Sequence, residues 1–206
     1  MARQKVKNGD ILEIPLPRGL GFAYAKYIDL IATNADNRYP CLVQIYNLRK
    51  SKSLTSISDL EKIELLFSPL LVGGVPPTVA KGKWKIVGNF PISESDQYIP
   101  DFKAHEPLVI TEYIEVKEWY YVPNADISRK VRSEYNAVKH LENFGAIGAD
   151  LIPIKIAMGL IMAEKKDIRD YFALEEFVEK VFFNQVQNTP LYFMVPDDQK
   201  GKVLNE

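Results

Sequence analysis

Residues 9–28 read GDILEIPLPRGLGFAYAKYI, and this stretch decides the fold prediction. In its first part apolar side chains alternate with Glu13 and Pro15, and in its second part large side chains alternate with alanine. Alternation with a period of two residues is typical of a β-strand. The intervening Pro17-Arg18-Gly19 has the composition of a turn, so the stretch predicts a β-hairpin.

Further strands are predicted downstream of the hairpin. Residues 41–48 alternate in the same way, and residues 84–90 predict another strand. A longer run, residues 108–122, is rich in β-branched and aromatic side chains, which favour strands. The polar residues 93–107 predict a loop. The first half of the chain therefore predicts a curved antiparallel sheet, and the pattern leaves open whether this sheet closes into a barrel.

The last third of the chain predicts helices. Apolar residues spaced by three and four from Ile127 to Leu141 predict one helix, with Asp126 as its N-cap and Gly145 as its stop. The same spacing in residues 171–182 predicts a second helix. Together with the sheet, these segments predict an α+β fold in which two C-terminal helices pack on the strands.

Two segments of the last third are less distinctive. Residues 152–162 fit either a buried strand or a buried helix, and their alternating isoleucines favour the strand. Leu191 to Val195 predicts a short final strand. The 206 residues have the length of one domain, strand-rich over residues 1–122 and helix-rich over residues 123–206.

Charge and cysteine content limit the partners and the compartment. The chain has 26 basic and 27 acidic residues, so its net charge of −1 gives no general attraction to nucleic acid or to an anionic membrane. No apolar run is long enough to span a bilayer. Cys41 is the single cysteine and cannot form an internal disulfide, which favours a reducing compartment. We therefore expect a cytoplasmic protein.

No combination of residues predicts catalysis. His105 and His140 are far apart in the sequence, so a zinc site would need carboxylates at spacings that the chain does not offer. His140 is expected on a helix surface, and Cys41 lies in an apolar strand, where cysteine is usually a small buried hydrophobe. No serine stands in a nucleophile-elbow pattern. We expect no enzyme activity, no cofactor and no metal; a triad assembled only in the folded chain stays open.

Residues 81–85, Lys-Gly-Lys-Trp-Lys, allow two interpretations. Lysines beside an aromatic ring are typical of proteins that bind single-stranded nucleic acid. In a strand, however, Trp84 would lie on the side opposite to Lys83 and Lys85, which suits a core tryptophan with lysines in water. The strand interpretation is favoured, so nucleic acid is not the expected partner.

The segment from Glu94 to Glu106 is the candidate partner-binding surface. It carries four acidic residues and one lysine, with aromatic residues among them. Acidic charge attracts a basic protein, and aromatic side chains anchor the resulting complex. The candidate residues are Glu94, Asp96, Tyr98, Asp101, Phe102 and Glu106. An ordinary solvated loop accounts for the same composition equally well.

Two motifs resemble landmarks of the immunity protein 26 family. GDILEIPL, residues 9–16, followed by FAYAK, residues 22–26, resembles the first two strands of that family. KWKIVGNFP, residues 83–91, resembles its Trp-x-Ile-x-Gly-Asn-x-Pro segment. The shared residues are of types that build strands and turns, and Asp10 and Asn89 are suited to bridging backbone groups. The resemblance covers the first half of the chain.

This resemblance implies a function. Members of the family are made beside the toxins of bacterial polymorphic toxin systems, and each binds and blocks its cognate toxin without catalysis. The leading hypothesis is an immunity protein that neutralises its toxin by occlusion. One alternative is a small-barrel ribonuclease toxin in which Arg18 assists RNA cleavage, although the Arg-Pro-apolar strand of such toxins is missing here. The other is a nucleic-acid-binding module that uses Lys81, Lys83, Trp84 and Lys85.

Overall fold

The predicted hairpin is present in the computed structural model. Strands β1 (Asp10–Pro15) and β2 (Phe22–Asp29) run antiparallel, with Leu12 opposite Ala25. A 3-10 turn, Pro17–Gly19, joins them, so the turn prediction is also confirmed. The structure describes residues 5–33, 38–39, 41–106 and 116–201.

The hairpin belongs to a larger sheet, and a smaller sheet follows. The remaining strands of the described chain are β3 (Cys41–Lys50), β4 (Leu70–Gly73), β5 (Lys85–Asn89), β6 (Phe102–Glu106), β7 (Glu118–Val122), β8 (Val131–Ser133), β9 (Glu142–Asn143) and β10 (Ile147–Gly148). The strand orders are β10-β4-β3-β2-β1-β5 and β8-β7-β6-β9. Neighbouring strands are antiparallel, except that β10 runs parallel to β4 and β9 to β6. Because β10 and β5 stand at opposite edges of the described sheet, it is open and does not form a barrel.

Four α-helices complete the described chain, and the two longest are C-terminal. They are α1 (Val75–Ala80), α2 (Tyr135–Val138), α3 (Ile152–Ala163) and α4 (Phe177–Asn188). Residues of α3 and α4 share one hydrophobic core with the larger sheet, which confirms the α+β class with C-terminal helices on the strands. Within the described residues, every helix is too short or too polar to cross a membrane.

The larger sheet is buried on both faces, which explains why its strands carry apolar residues on both sides. One face packs against α3 and α4 and includes Leu12, Ile14, Ala25 and Val43. The opposite face packs partly against residues 54–65 and partly against the smaller sheet. The smaller sheet therefore covers part of the face opposite to the main helical core, and it also contacts α3, where Glu142 of β9 pairs with Lys155.

The helix predicted from Ile127 to Leu141 is wrong. This segment contains a 3-10 turn, Ile127–Arg129, followed by β8 and the single-turn helix α2. All three residues of β8 pair with β7. Pairing with a neighbouring strand thus overrides a spacing that favours a helix on its own. Asp126 does act as an N-cap, but of the 3-10 turn, where its side chain accepts a hydrogen bond from Ser128 N.

The strand favoured for residues 152–162 is also wrong, because this segment forms α3. Most of its residues are buried, so the helix lacks the polar stripe that identifies an amphipathic helix in a sequence. The second predicted helix is present as α4, which begins at Phe177. The predicted final strand is a 3-10 turn, Tyr192–Met194.

In the middle of the chain, the loop and the long strand have other boundaries in the structure than the sequence predicts. The loop prediction, residues 93–107, is wrong for its second half, which forms β6. Of the strand predicted over residues 108–122, the structure has β7 at the C-terminal end. Residues 107–115 lie outside the described residues.

Candidate partner-binding surface

The acidic segment from Glu94 to Glu106 divides into exposed and buried residues. Its exposed candidates are Glu94, Tyr98 and Glu106, with 52% of Tyr98 accessible to solvent. Its buried candidates are Asp96, Asp101 and Phe102. The segment therefore packs through half of its candidate residues and presents the other half to solvent.

Asp96 anchors the segment to the larger sheet. Its Oδ2 atom lies 2.7 Å from Lys26 Nζ and accepts two further hydrogen bonds from Ser93, from the backbone N at 2.7 Å and from Oγ at 2.8 Å. Lys26 also donates to the carbonyl oxygen of Pro91 at 2.8 Å. Burial alone would raise the pKa of Asp96, but the hydrogen bonds from Lys26 and Ser93 and the charge of Lys26 lower it overall.

Asp96 should make the protein sensitive to acid. A carboxyl group whose pKa is lower in the folded than in the unfolded chain stabilises the fold above its unfolded value of about 3.9, and this stability is lost as the pH falls through the folded pKa. We expect Asp96→Asn to lower stability at neutral pH and to flatten its loss between about pH 5 and pH 2. Urea unfolding across this range measures both effects, and an unchanged pH profile in the variant would contradict the assignment.

The other two buried candidates hold the segment to the smaller sheet. Asp101 accepts hydrogen bonds from the Tyr121 hydroxyl at 2.6 Å and from Asn124 N at 2.8 Å. Phe102 is inaccessible to solvent and meets the ring of Phe144 edge to face, with 6.2 Å between the ring centroids. Both residues therefore fix the segment in place through contacts on its buried side.

The charge of the acidic segment is partly compensated by distant lysines. Glu106 lies 2.5 Å from Lys130 Nζ, and this ammonium also sits 4.2 Å from the centroid of the Tyr120 ring. Lys26 compensates Asp96 in the same way. The most accessible acidic and aromatic side chains that remain are those of Glu94 and Tyr98.

Residues of the two alternative hypotheses have structural roles. Trp84 lies just before β5, is 3% exposed and belongs to the main core, which confirms its predicted core position, while Lys83 pairs with Asp150 at 2.6 Å. Arg18 donates to Glu179 Oε1 at 2.6 Å, and its guanidinium lies 4.7 Å from the centroid of the Phe172 ring. These contacts hold the hairpin turn against α4 and against Phe172, which precedes α4 in the chain.

The structure contradicts the position predicted for His140 and confirms the one predicted for Cys41. His140 is buried and follows the end of α2, so the prediction of a helix-surface position is wrong. Cys41 is buried as predicted and donates to the carbonyl oxygen of Val72 at 2.9 Å; burial raises the pKa of its thiol to about 12. Among the described residues, no group of three or more His, Cys, Asp and Glu side chains is placed to hold a metal ion.

The two motifs of the sequence meet where β1 pairs with β5. Asp10 stands opposite Asn89 in this pairing, and Asn89 Nδ2 donates to Asp10 Oδ1 at 3.0 Å and to the carbonyl oxygen of Asn8 at 2.9 Å. Asp10 Oδ2 accepts from Lys7 N at 2.7 Å. As predicted, these side chains bridge backbone groups, so the motifs describe a scaffold.

A pocket of about 620 Å³ lies between the smaller sheet and α4, and no pattern in the sequence indicates it. Its lining residues come from β6, β7, α2, β9, α4 and the residues next to them, namely Lys103, His105, Val116, Trp119, Tyr135, Asn143, Val181, Asn184, Gln185, Asn188 and Thr189. Since these residues are spread over nearly ninety positions, no local motif could have revealed the pocket.

Lys103 is the charged group in the wall of this pocket. It is 2% exposed, and its Nζ donates to the carbonyl oxygen of Lys139 at 2.7 Å and to Thr189 Oγ1 at 2.8 Å. Burial lowers the pKa of Lys103 to about 8, with Glu142 opposing this shift and Lys155 adding to it. Lys155 itself pairs with Glu142 at 2.6 Å in the protein interior.

Comparison with known proteins gives one informative result. A family model described as Immunity protein 26 matches residues 7–109, half of the chain. The matched range contains β1 to β6 and both sequence motifs, and its pocket residues are Lys103 and His105. No curated protein and no solved structure matches the chain.

Proposed function

This chain belongs to the immunity protein 26 family, and from that membership we propose that it binds one cognate toxin and covers the surface through which the toxin acts. The family match over residues 7–109 is the observation that carries this proposal. In this proposal the protein inhibits by occlusion in the cytoplasm and catalyses no reaction. The toxin is expected to be encoded beside it.

We propose that the toxin contacts the exposed part of the acidic segment, at Glu94, Tyr98 and Glu106. Tyr98 offers an accessible aromatic ring, the kind of side chain that anchors protein interfaces. Glu94 adds a negative charge that would steer a basic surface toward it. Asp96 and Asp101 fix the segment before binding, which reduces the entropy lost when a complex forms.

Co-expression with the toxin encoded immediately upstream tests the function. We expect the chain to restore growth and to form a stable complex with the purified toxin. Tyr98→Ala and Glu94→Lys should each weaken binding by about 30-fold or more, the effect of losing an interface residue worth about 2 kcal/mol. Calorimetry on the purified proteins measures this loss, and circular dichroism checks that both variants stay folded.

Phe177→Ala is the matched control, because Phe177 is an aromatic residue on α4 with 51% exposure, close to that of Tyr98. We expect it to bind the toxin like the unmodified protein. Full binding by Tyr98→Ala and Glu94→Lys would refute the proposed surface but leave the function intact. Failure to bind or neutralise any neighbouring toxin would refute the function itself.

A further inference from the structure

The pocket between the smaller sheet and α4 has the properties of a ligand site. Its volume of about 620 Å³ lies in the range of about 300–1,000 Å³ that is usual for small-molecule pockets. Trp119 and Tyr135 form an aromatic part of its wall, with 4.8 Å between their ring centroids. Side-chain amides supply polar groups, from Asn143, Asn184, Gln185 and Asn188.

The pocket wall contains a buried positive charge with neutral partners. The two oxygens that accept hydrogen bonds from Lys103 Nζ belong to a backbone carbonyl and a hydroxyl. Among the ion pairs of the described residues, Glu142 is matched with Lys155 and no carboxylate is matched with Lys103. A buried ammonium that forms no ion pair is costly, so an anion that enters the pocket would be stabilised there.

Two polar atoms in the same wall also lack partners. His105 Nδ1 and Asn143 Oδ1 are buried without a hydrogen-bond partner in the described structure. Buried polar groups are usually hydrogen-bonded, and each exception calls for an explanation. Both atoms belong to residues of the pocket wall, which fits a polar occupant better than an apolar one.

We propose that this pocket binds a small-molecule carboxylate carried on a planar ring, with the carboxylate at Lys103 and the ring against Trp119 and Tyr135. Lys103 lies close to this aromatic part of the wall, because its Nζ is 5.9 Å from the centroid of the Tyr135 ring. The site lies mainly outside the matched range of the family, and its lining residues are not those proposed to contact the toxin.

A matched pair of probes tests the proposal on the full chain. 2-Naphthoate and the uncharged 2-naphthamide have nearly the same shape, so their difference in affinity reports the exchange of a charged carboxylate for a neutral amide. We expect calorimetry to show naphthoate binding at least about tenfold more tightly, as one charge-assisted hydrogen bond implies. The indole N–H resonance of Trp119 should shift on binding, which locates the probe in the pocket.

Lys103→Met should remove the preference for naphthoate, because methionine keeps the apolar stem and loses the charge. Lys130→Met is the matched control, since Lys130 is a partly exposed lysine paired with Glu106 and is absent from the pocket wall. This control should keep the preference. Equal affinity of the unmodified protein for both probes, or a preference that survives Lys103→Met, overturns the proposal.

The pH dependence provides a test that needs no variant. The charged or titratable groups around Lys103 are His105, Tyr135, Glu142 and Lys155. Burial raises the pKa of Tyr135 above its ordinary value of 10, so this hydroxyl keeps its proton at lower pH. Lys103 loses its proton as the pH passes about 8. Naphthoate binding should therefore weaken from about pH 7 to about pH 9, and naphthamide binding should not; parallel behaviour of the two probes overturns the proposal.

Discussion

Glu142→Gln is expected to lower the free energy of unfolding by about 3–5 kcal/mol, because breaking a buried ion pair leaves a charge without compensation. Lys155 Nζ lies 2.6 Å from Glu142 Oε2, and the two side chains are only 2% and 4% exposed. Lys103 is a second buried ammonium that Glu142 stabilises. The substitution therefore leaves Lys155 without its ion-pair partner and removes a negative charge whose field reaches Lys103. Urea unfolding at neutral pH measures the loss.

The position of Lys103 predicts an asymmetry between the two partners. Lys155→Met should lower the free energy of unfolding less than Glu142→Gln does, because Glu142 would still have the positive charge of Lys103 nearby. The methionine would also keep an apolar stem in place of the lysine that lies 5.3 Å from the centroid of the Phe67 ring. Replacing both partners by Met and Leu should recover most of the stability, as is found when buried ion pairs are exchanged for apolar residues.

Asp150→Asn is the control for the buried pair. Lys83 and Asp150 have the same 2.6 Å separation, but their side chains are 54% and 67% exposed. Exposed pairs contribute about 0–1 kcal/mol, so this variant should remain close to the unmodified protein. If Glu142→Gln and Asp150→Asn had equal effects, burial would not be the source of the stability that we assign to the interior pair.

Gly9→Ala is expected to lower the free energy of unfolding by about 3 kcal/mol, which is the second-largest effect that we predict. Gly9 has a φ of +81°, a conformation that costs other residues about 1–2 kcal/mol. A Cβ atom there would also lie 2.1 Å from the carbonyl oxygen of Phe90. Since Gly9 N donates to Tyr27 and Gly9 O accepts from Phe90, the clash would separate backbones that are hydrogen-bonded at 2.9 Å.

Gly19→Ala isolates the conformational part of this cost. Gly19 has a φ of +68°, but an added Cβ would meet no atom within 4 Å. We expect a loss of about 1–2 kcal/mol for this variant, so the difference from Gly9→Ala reports the close approach of residues 9 and 90. Thermal and urea unfolding of both variants provide the comparison; indistinguishable losses would mean that the backbone near Phe90 yields without cost.

Local patterns predicted the first half of the chain better than the second. The hairpin, β3 and β5 follow from alternation over consecutive residues, and the core position of Trp84 follows from the same alternation. The helix predicted over residues 127–141 is wrong because β8 pairs with β7, a contact that no local spacing reveals. The favoured strand over residues 152–162 is wrong because α3 is buried around most of its circumference.

The candidate surface shows the same limit. Composition selects a segment that combines acidic and aromatic residues, but it could not show that Lys26 would neutralise Asp96 from seventy positions away. It also could not show that Phe102 would enter the core. The pocket was missed entirely because Lys103 and Thr189 meet only in the folded chain. Charge balance at such sites depends on tertiary contacts, which a single sequence does not contain.

The two-sided burial of the larger sheet has a consequence for synthesis. The ribosome completes β1 to β5 before it reaches α3 and α4, which cover one face of those strands. At an elongation rate of about 5–20 residues per second, that face stays exposed to solvent for on the order of 5–20 s before α3 and α4 are synthesised. During this interval the nascent chain exposes a broad apolar surface. We therefore expect the fraction of new chains that reach the folded state to depend on chaperones that bind this surface near the ribosome.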